Sequence, residues 1–198
     1  MQTRIVYGIC AAAVLALALG GCAALIGGAA SGELSSNLAL DSAGAVANNP
    51  VFNDGNVYTQ APTRTPMVDR DDPDWRDAEY YTVAEVRFKQ PTKVNQIAVR
   101  SKDLDRPLQQ GMWIALEYLK DDEWKTVRKW EHGSVPRNPK VNIDATAGGV
   151  RVRIKRPTSF FAGGGGSSSQ GGDNGERLIY EVEAYQYVPK EQLPAEEG

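Results

Sequence analysis

The sequence predicts an all-β protein, an eight-stranded jelly-roll sandwich, and three observations predict it. Apolar residues recur with a period of two in segments between residues 82 and 187. That is the spacing of a strand with one buried face. No stretch after residue 40 carries a helical period of useful length. Glycine and proline, 20 and 11 of 198 residues, punctuate the chain as turns do.

The segments follow in order. Residues 82–88 set Ala84, Val86 and Phe88 on one face and Glu85 and Arg87 on the other. Residues 94–100 offer Val94, Ile97 and Val99, whose odd spacing predicts a bulge. Residues 113–119 set Ile114, Leu116 and Tyr118 against Trp113, Ala115, Glu117 and Leu119. The turn Lys120-Asp121-Asp122-Glu123 joins them as a hairpin to residues 124–130, with Trp124, Val127 and Trp130. Residues 150–155 point Val150, Val152 and Ile154 inward and Arg151, Arg153 and Lys155 outward. Residues 178–187 place Leu178, Tyr180, Val182 and Ala184 on one face. Residues 34–188 form one domain, long enough to bury its own core. Two long loops interrupt it: residues 61–79, proline- and acid-rich, and residues 162–175, almost wholly Gly, Ser, Asn, Asp and Gln. A tail of residues 189–198 is acidic and expected to be disordered.

Composition narrows the function. The formal charge of −3 argues against nucleic-acid binding. Two Cys and one His cannot build an all-protein zinc site of the usual kind. A Ser-His-Asp enzyme would rest on His132 alone, which sits in the polar turn Trp130-Glu131-His132-Gly133-Ser134, with no Gly-x-Ser-x-Gly elbow. The expectation is a non-enzyme, a binding or structural module.

The N-terminus reads as an address. Arg4 precedes an apolar run over residues 5–19, the layout of a secretory signal. Leu19-Gly20-Gly21-Cys22 resembles the lipobox of bacterial lipoproteins. The resemblance implies cleavage after residue 21, lipidation of Cys22 by acyl chains such as palmitate, and a tether over residues 22–33. An uncleaved membrane helix is the alternative. Both place the domain outside the cytoplasm. Ala23, rather than Asp, after the cysteine implies the outer membrane.

The order of signatures beyond residue 34 resembles the discoidin-type domains of clotting factors five and eight and of bacterial carbohydrate-binding modules, a galactose-binding-like fold. The stretches that carry it are Asn37-Leu38-Ala39-Leu40, Phe52-Asn53-Asp54-Gly55-Asn56 with Thr59, Ala84–Phe88 through Val94–Ile97, Val150–Ile154, and Glu181-Val182-Glu183-Ala184-Tyr185. The chain departs from the pattern at Arg87 and Lys89, and where residues 61–79 carry Trp75 inside an insertion. The fold survives these departures; a transferred ligand specificity does not.

What the resemblance implies chemically is a structural Ca²⁺ held by Asp54, Gly55, Asn56, Thr59 and Glu181, in the oxygen-rich manner calcium favours. A plain turn at Asp54-Gly55 is the competing reading. For ligand contact the candidates are Phe160 and Phe161 at the mouth of the glycine loop, Trp75, and Arg100. One Phe could instead plug the core, and Arg100, with Lys102 and Arg106, could form a solvated basic loop. The expected partner is carbohydrate or an envelope glycan. The alternative is a structural or accessory subunit docking through the same loops onto a protein complex at the membrane, which would show an exposed apolar patch.

Overall fold

The structure, a computed structural model, describes residues 32–67, 71, 76–158 and 174–189. Cys22, Trp75, Phe160 and Phe161 lie outside the described residues, as do the signal segment and the glycine run.

Nine strands are present among the described residues, one more than expected: β1 (Gly32–Leu34), β2 (Val46–Ala47), β3 (Ala61–Pro62), β4 (Tyr81–Ser101), β5 (Trp113–Lys120), β6 (Glu123–Trp130), β7 (Lys140–Lys155), β8 (Leu178–Tyr185) and β9 (Tyr187–Pro189). The path β3-β8-β4-β7-β5-β6 is a single wrapped sheet, with β2 on β4. It makes a sandwich because β4 and β7 are long enough to run through both layers. Tyr81–Arg87 pairs with Gly149–Lys155, and Thr92–Ala98 with Lys140–Ala147. The ladder breaks between Arg87 and Thr92, where Pro91, lacking an N–H, can stand without losing a bond. At this crossing Gly149 is required: a Cβ there would lie 2.7 Å from the Val86 carbonyl oxygen.

The first layer is completed by the β5–β6 hairpin, whose turn carries Asp121 and Asp122 at φ of 51° and 61°. Two left-handed residues in a two-residue loop match the strand twist. The second layer adds β8 beside Gln96–Ser101 of β4. One apolar cluster fills the space between, including Val86, Ile97, Ile114, Leu116, Val152, Ile154 and Val182, with Phe52 and Leu104 wholly enclosed.

The bulge expected in residues 94–100 is present as the register shift between Val94 and Gln96. Two other shifts correct the alternation read from sequence. Arg100 faces Glu181 but Ser101 faces Ile179. The extra residue, Tyr180, turns the pattern over, so Ile179 is in the core while Leu178 and Tyr180 stand half-buried. Likewise Leu116 faces Arg128 but Glu117 faces Thr126. Val127 and Trp130 therefore pack on the core, and Trp124 passes to the outer face opposite Leu119.

Candidate functional site

The loop after Phe52 is built by its own polar side chains. The Asp54 carboxylate accepts from the Asn56 N–H at 2.7 Å and, through its other oxygen, from the Thr59 hydroxyl at 2.7 Å. Asn56 Oδ1 accepts from the Tyr58 N–H. Gly55 turns the loop at φ +73°, where any Cβ would also press on Leu40. Such a backbone favours glycine. The Asn37 amide donates to the Glu181 carboxylate on β8 at 3.4 Å, and the backbone of Gly55 is near enough to favour that carboxylate's charged form. The structure thus brings Asp54, Gly55, Asn56, Thr59 and Glu181 into one neighbourhood.

Electrostatically this neighbourhood is short of positive charge. Glu181 is 3% exposed. Burial, then the negative charge of Glu183 and that of Asp54, push its carboxyl up to about 7, against the opposing pull of the Gly55 backbone and Arg100. Such a group needs a proton or a cation to be comfortable. Among the described residues no three His, Cys, Asp or Glu side chains cluster as a metal set. The donors offered are two carboxylates with backbone, amide and hydroxyl oxygens, a hard-oxygen set that fits Ca²⁺ and not zinc.

Beside this loop, on the outer face of the second layer, lies a cleft of about 370 Å³. Arg100 and Ser101 from β4, Asn138 and Lys140 ahead of and in β7, Tyr180 and Glu183 from β8, and Val57 from the Asp54 loop line it. Glu183 is the cleft's carboxylate, and Arg100 Nε already holds it at 2.5 Å. That bond, with the attraction of the carboxylate, raises the Arg100 guanidinium above its ordinary value. The Tyr185 hydroxyl is held up to about 12, first by burial and then by Glu183. Arg100 is half in water, so the cleft presents a guanidinium fixed at one edge and open at the other.

Of the other basic residues named for that neighbourhood, Arg106 is structural and Lys102 is exposed. Arg106 bonds Asp103 and the Glu176 carbonyl. The Lys102 backbone N–H joins the Leu178 carbonyl. His132 lines a separate cleft of about 540 Å³ with Gln109, Gln110, Trp113 and Glu131.

Sequence reasoning named Arg100 but missed Asn138, Lys140 and Tyr180. The signal for Tyr180 was hidden by its bulge. Asn138 is placed by tertiary contact, its Oδ1 accepting from the Ser101 N–H.

No family model matches the chain, and no curated protein matches it. Among solved structures it is similar to chitosan-binding module 1 of a chitosanase/glucanase from Paenibacillus sp. IK-5. There the identity is 17% and the TM-score 0.48, over 77% of this chain and all of that one. A fucose-binding module of Streptococcus pneumoniae, SpX-3, is 15% identical at TM-score 0.46, over 78% of this chain and all of that one. A GH29 fucosidase of Ruminococcus gnavus is 13% identical at TM-score 0.46, over 77% of this chain but 27% of that one. The assignment of this chain as an all-β sandwich rests on its own strand pairing.

Proposed function

We propose that this chain is a non-catalytic carbohydrate-binding module that holds its ligand in the cleft between Arg100 and Tyr180. The observation that carries the reading is the convergence there of a guanidinium, an ammonium, an amide and a phenol around the apolar residues Val57, Ala98 and Val99. Sugars present hydroxyls to such donors and apolar C–H faces to such rings. A glycosidase needs two carboxyl groups flanking the bond to be cut. Here the cleft's carboxylate is Glu183, and it is tied to Arg100. Glu181 is sealed behind the Asp54 loop. Binding of a panel of neutral and acidic oligosaccharides by the full chain tests the reading.

Calcium belongs to the same proposal. Asp54, Asn56, Thr59 and Glu181 would hold the ion, and the ion would supply the positive charge that Glu181 lacks. By fixing the Asp54 loop it would also fix Val57 at the edge of the cleft.

The anchor is proposed on the sequence Leu19-Gly20-Gly21-Cys22, with acylation at Cys22 and an outer-membrane destination. The chain enters the fold at Gly32, paired with Pro189. This ribbon lies beyond the Tyr185 end of β8, and the cleft runs along the strand from Glu183 to Tyr180.

A further inference from the structure

The outer face of the first layer is built in a way the cleft does not explain. An exposed sheet face normally carries separate polar side chains in water. Here cross-strand neighbours form a close-packed layer of guanidinium and indole groups. Glu117, 0% exposed, lies at its centre. Arg151 Nε donates to Glu117 Oε2 at 2.7 Å, Arg153 Nη2 to Oε1 at 2.7 Å, and the Thr126 hydroxyl to Oε1 at 3.1 Å. The Arg151 guanidinium covers the Trp124 ring at 4.1 Å. Arg153 lies 5.0 Å from the Tyr81 ring and 4.9 Å from that of Trp113, and Lys129 lies 4.6 Å from Trp113. Arg87 also lies over the Trp124 ring, at 5.8 Å.

The layer is net positive on a chain that is net negative. Arg87, Lys129, Arg151, Arg153 and Lys155 face Glu85, Glu117 and Glu131. Arg87 and Lys129 stay well exposed, at 58% and 39% of their side chains. The aliphatic residues beneath, Val83, Ala115 and Leu119, are all buried. The face therefore offers cations and ring edges, and a single exposed aliphatic side chain, Val46 opposite Arg87, which is too little apolar surface to hold the chain in lipid. Trp113 and the partner of Trp124, Leu119, are six residues apart on β5, about 20 Å at the rise of a strand. That is the reach of an oligosaccharide and exceeds that of one sugar.

We propose that this face is a second binding surface, distinct from the Arg100 cleft, for an extended acidic polysaccharide whose carboxylates or phosphates meet the exposed cations Arg87 and Lys129, with the largely covered Arg151 and Arg153 supplying positive charge between them. Glu117 holds the guanidinium groups in place before the ligand arrives, so little side-chain freedom is lost on binding. Charge complementarity selects the acidic polymer.

The test uses the full chain in detergent, with polygalacturonate as acidic probe, dextran as neutral probe, and vesicles containing anionic lipid. Polygalacturonate should bind, weaken as salt rises, and weaken about tenfold in the Arg87→Gln, Lys129→Gln double variant with an unchanged melting temperature. Arg87→Lys should restore part of the loss. The Tyr180→Ala variant of the cleft should leave polygalacturonate binding as it is. Absence of polygalacturonate binding, or equal binding by the double variant, overturns the proposal. So does dextran binding lost with the same charges, or anionic vesicles binding through them as tightly as the polymer. Loss of binding only with Tyr180→Ala overturns it too and leaves the cleft reading standing.

Discussion

The Asn37 side-chain amide donates to the carboxylate of Glu181 at 3.4 Å, tying the segment after β1 to the middle of β8, where Asp54 and Gly55 also act on that carboxylate. That long contact and the favourable pull of the Gly55 backbone do not balance a buried carboxylate with Glu183 and Asp54 beside it. The state of this one group links the loop, the edge of the cleft and the stability of the chain.

Glu181 makes stability depend on pH in a definite direction. Its carboxyl stands at about 7 in the folded chain against an ordinary 4.5. Folding therefore favours the proton. The contribution is complete below 4.5 and is lost as pH rises through 7. Thermal unfolding in chelator should show the melting temperature falling across that window, and Glu181→Gln should flatten the fall. A wild-type curve that rises over the same range would contradict the assignment.

Calcium should offset that loss. A ligand bound only by the folded state stabilises by RT ln(1 + [L]/Kd), about 2.7 kcal/mol at a hundredfold excess. Added Ca²⁺ should raise the melting temperature most at neutral pH and above. Asp54→Ala and Glu181→Gln should each remove the response. Melting curves indifferent to both calcium and chelator would remove the ion from the account.

Glu117 is sensitive to substitution because it is shut off from water and holds two arginines. Glu117→Ala strands Arg151 and Arg153 over a buried gap and should cost about 3–5 kcal/mol in a urea unfolding series. Burial already lowers the Arg151 guanidinium below its ordinary value despite Glu117. A loss below about 1 kcal/mol would mean that both arginines find water instead.

Gly149 offers a test of the crossing between the layers. Its φ is ordinary, so strain is not the issue; space is. A Cβ 2.7 Å from the Val86 carbonyl and 3.2 Å from Arg87 Cα must displace backbone. Gly149→Ala should therefore destabilise by about 1–3 kcal/mol, measured by denaturant unfolding, while the flanking Gly148→Ala, whose nearest neighbour is the Leu119 side chain at 3.4 Å, should cost less.

The strands were legible where alternation was unbroken. Residues 82–88 and 150–155 lie as their pattern predicts, with Ala84, Val86, Val150, Val152 and Ile154 enclosed. The hairpin turn at Asp121-Asp122 was legible from its charge and length. What misled was the bulge. A single extra residue at Tyr180 or Val127 reverses every side chain beyond it, and one sequence does not mark where pairing slips. The outward positions of residues 113–119 are a second case. Ala115, Glu117 and Leu119 are buried because long side chains from β7 and β6 lie over them, and alternation cannot report what covers a face. At the site, Asp54, Gly55 and Glu181 could be read from local motifs. Asn138, Lys140 and Tyr180 could not, since only the fold brings them to Arg100.

Anchoring makes its own prediction. With Leu19-Gly20-Gly21 ahead of it, Cys22 should take up labelled palmitate in growing cells, and Cys22→Ser should abolish the label and leave an uncleaved or soluble chain. Unchanged labelling of the mutant would place the acyl chain elsewhere.

The central claim is that the Arg100–Tyr180 cleft holds sugar, and titration calorimetry of the full chain against oligosaccharides selected on a glycan array tests it most directly. The account predicts weak, enthalpy-driven binding of at least one glycan. Tyr180→Ala and Lys140→Ala should each reduce it about tenfold, roughly 1.4 kcal/mol, with unfolding curves like the parent. A glycan bound equally well by the parent and by both variants, or an array with no bound glycan at all, would contradict it.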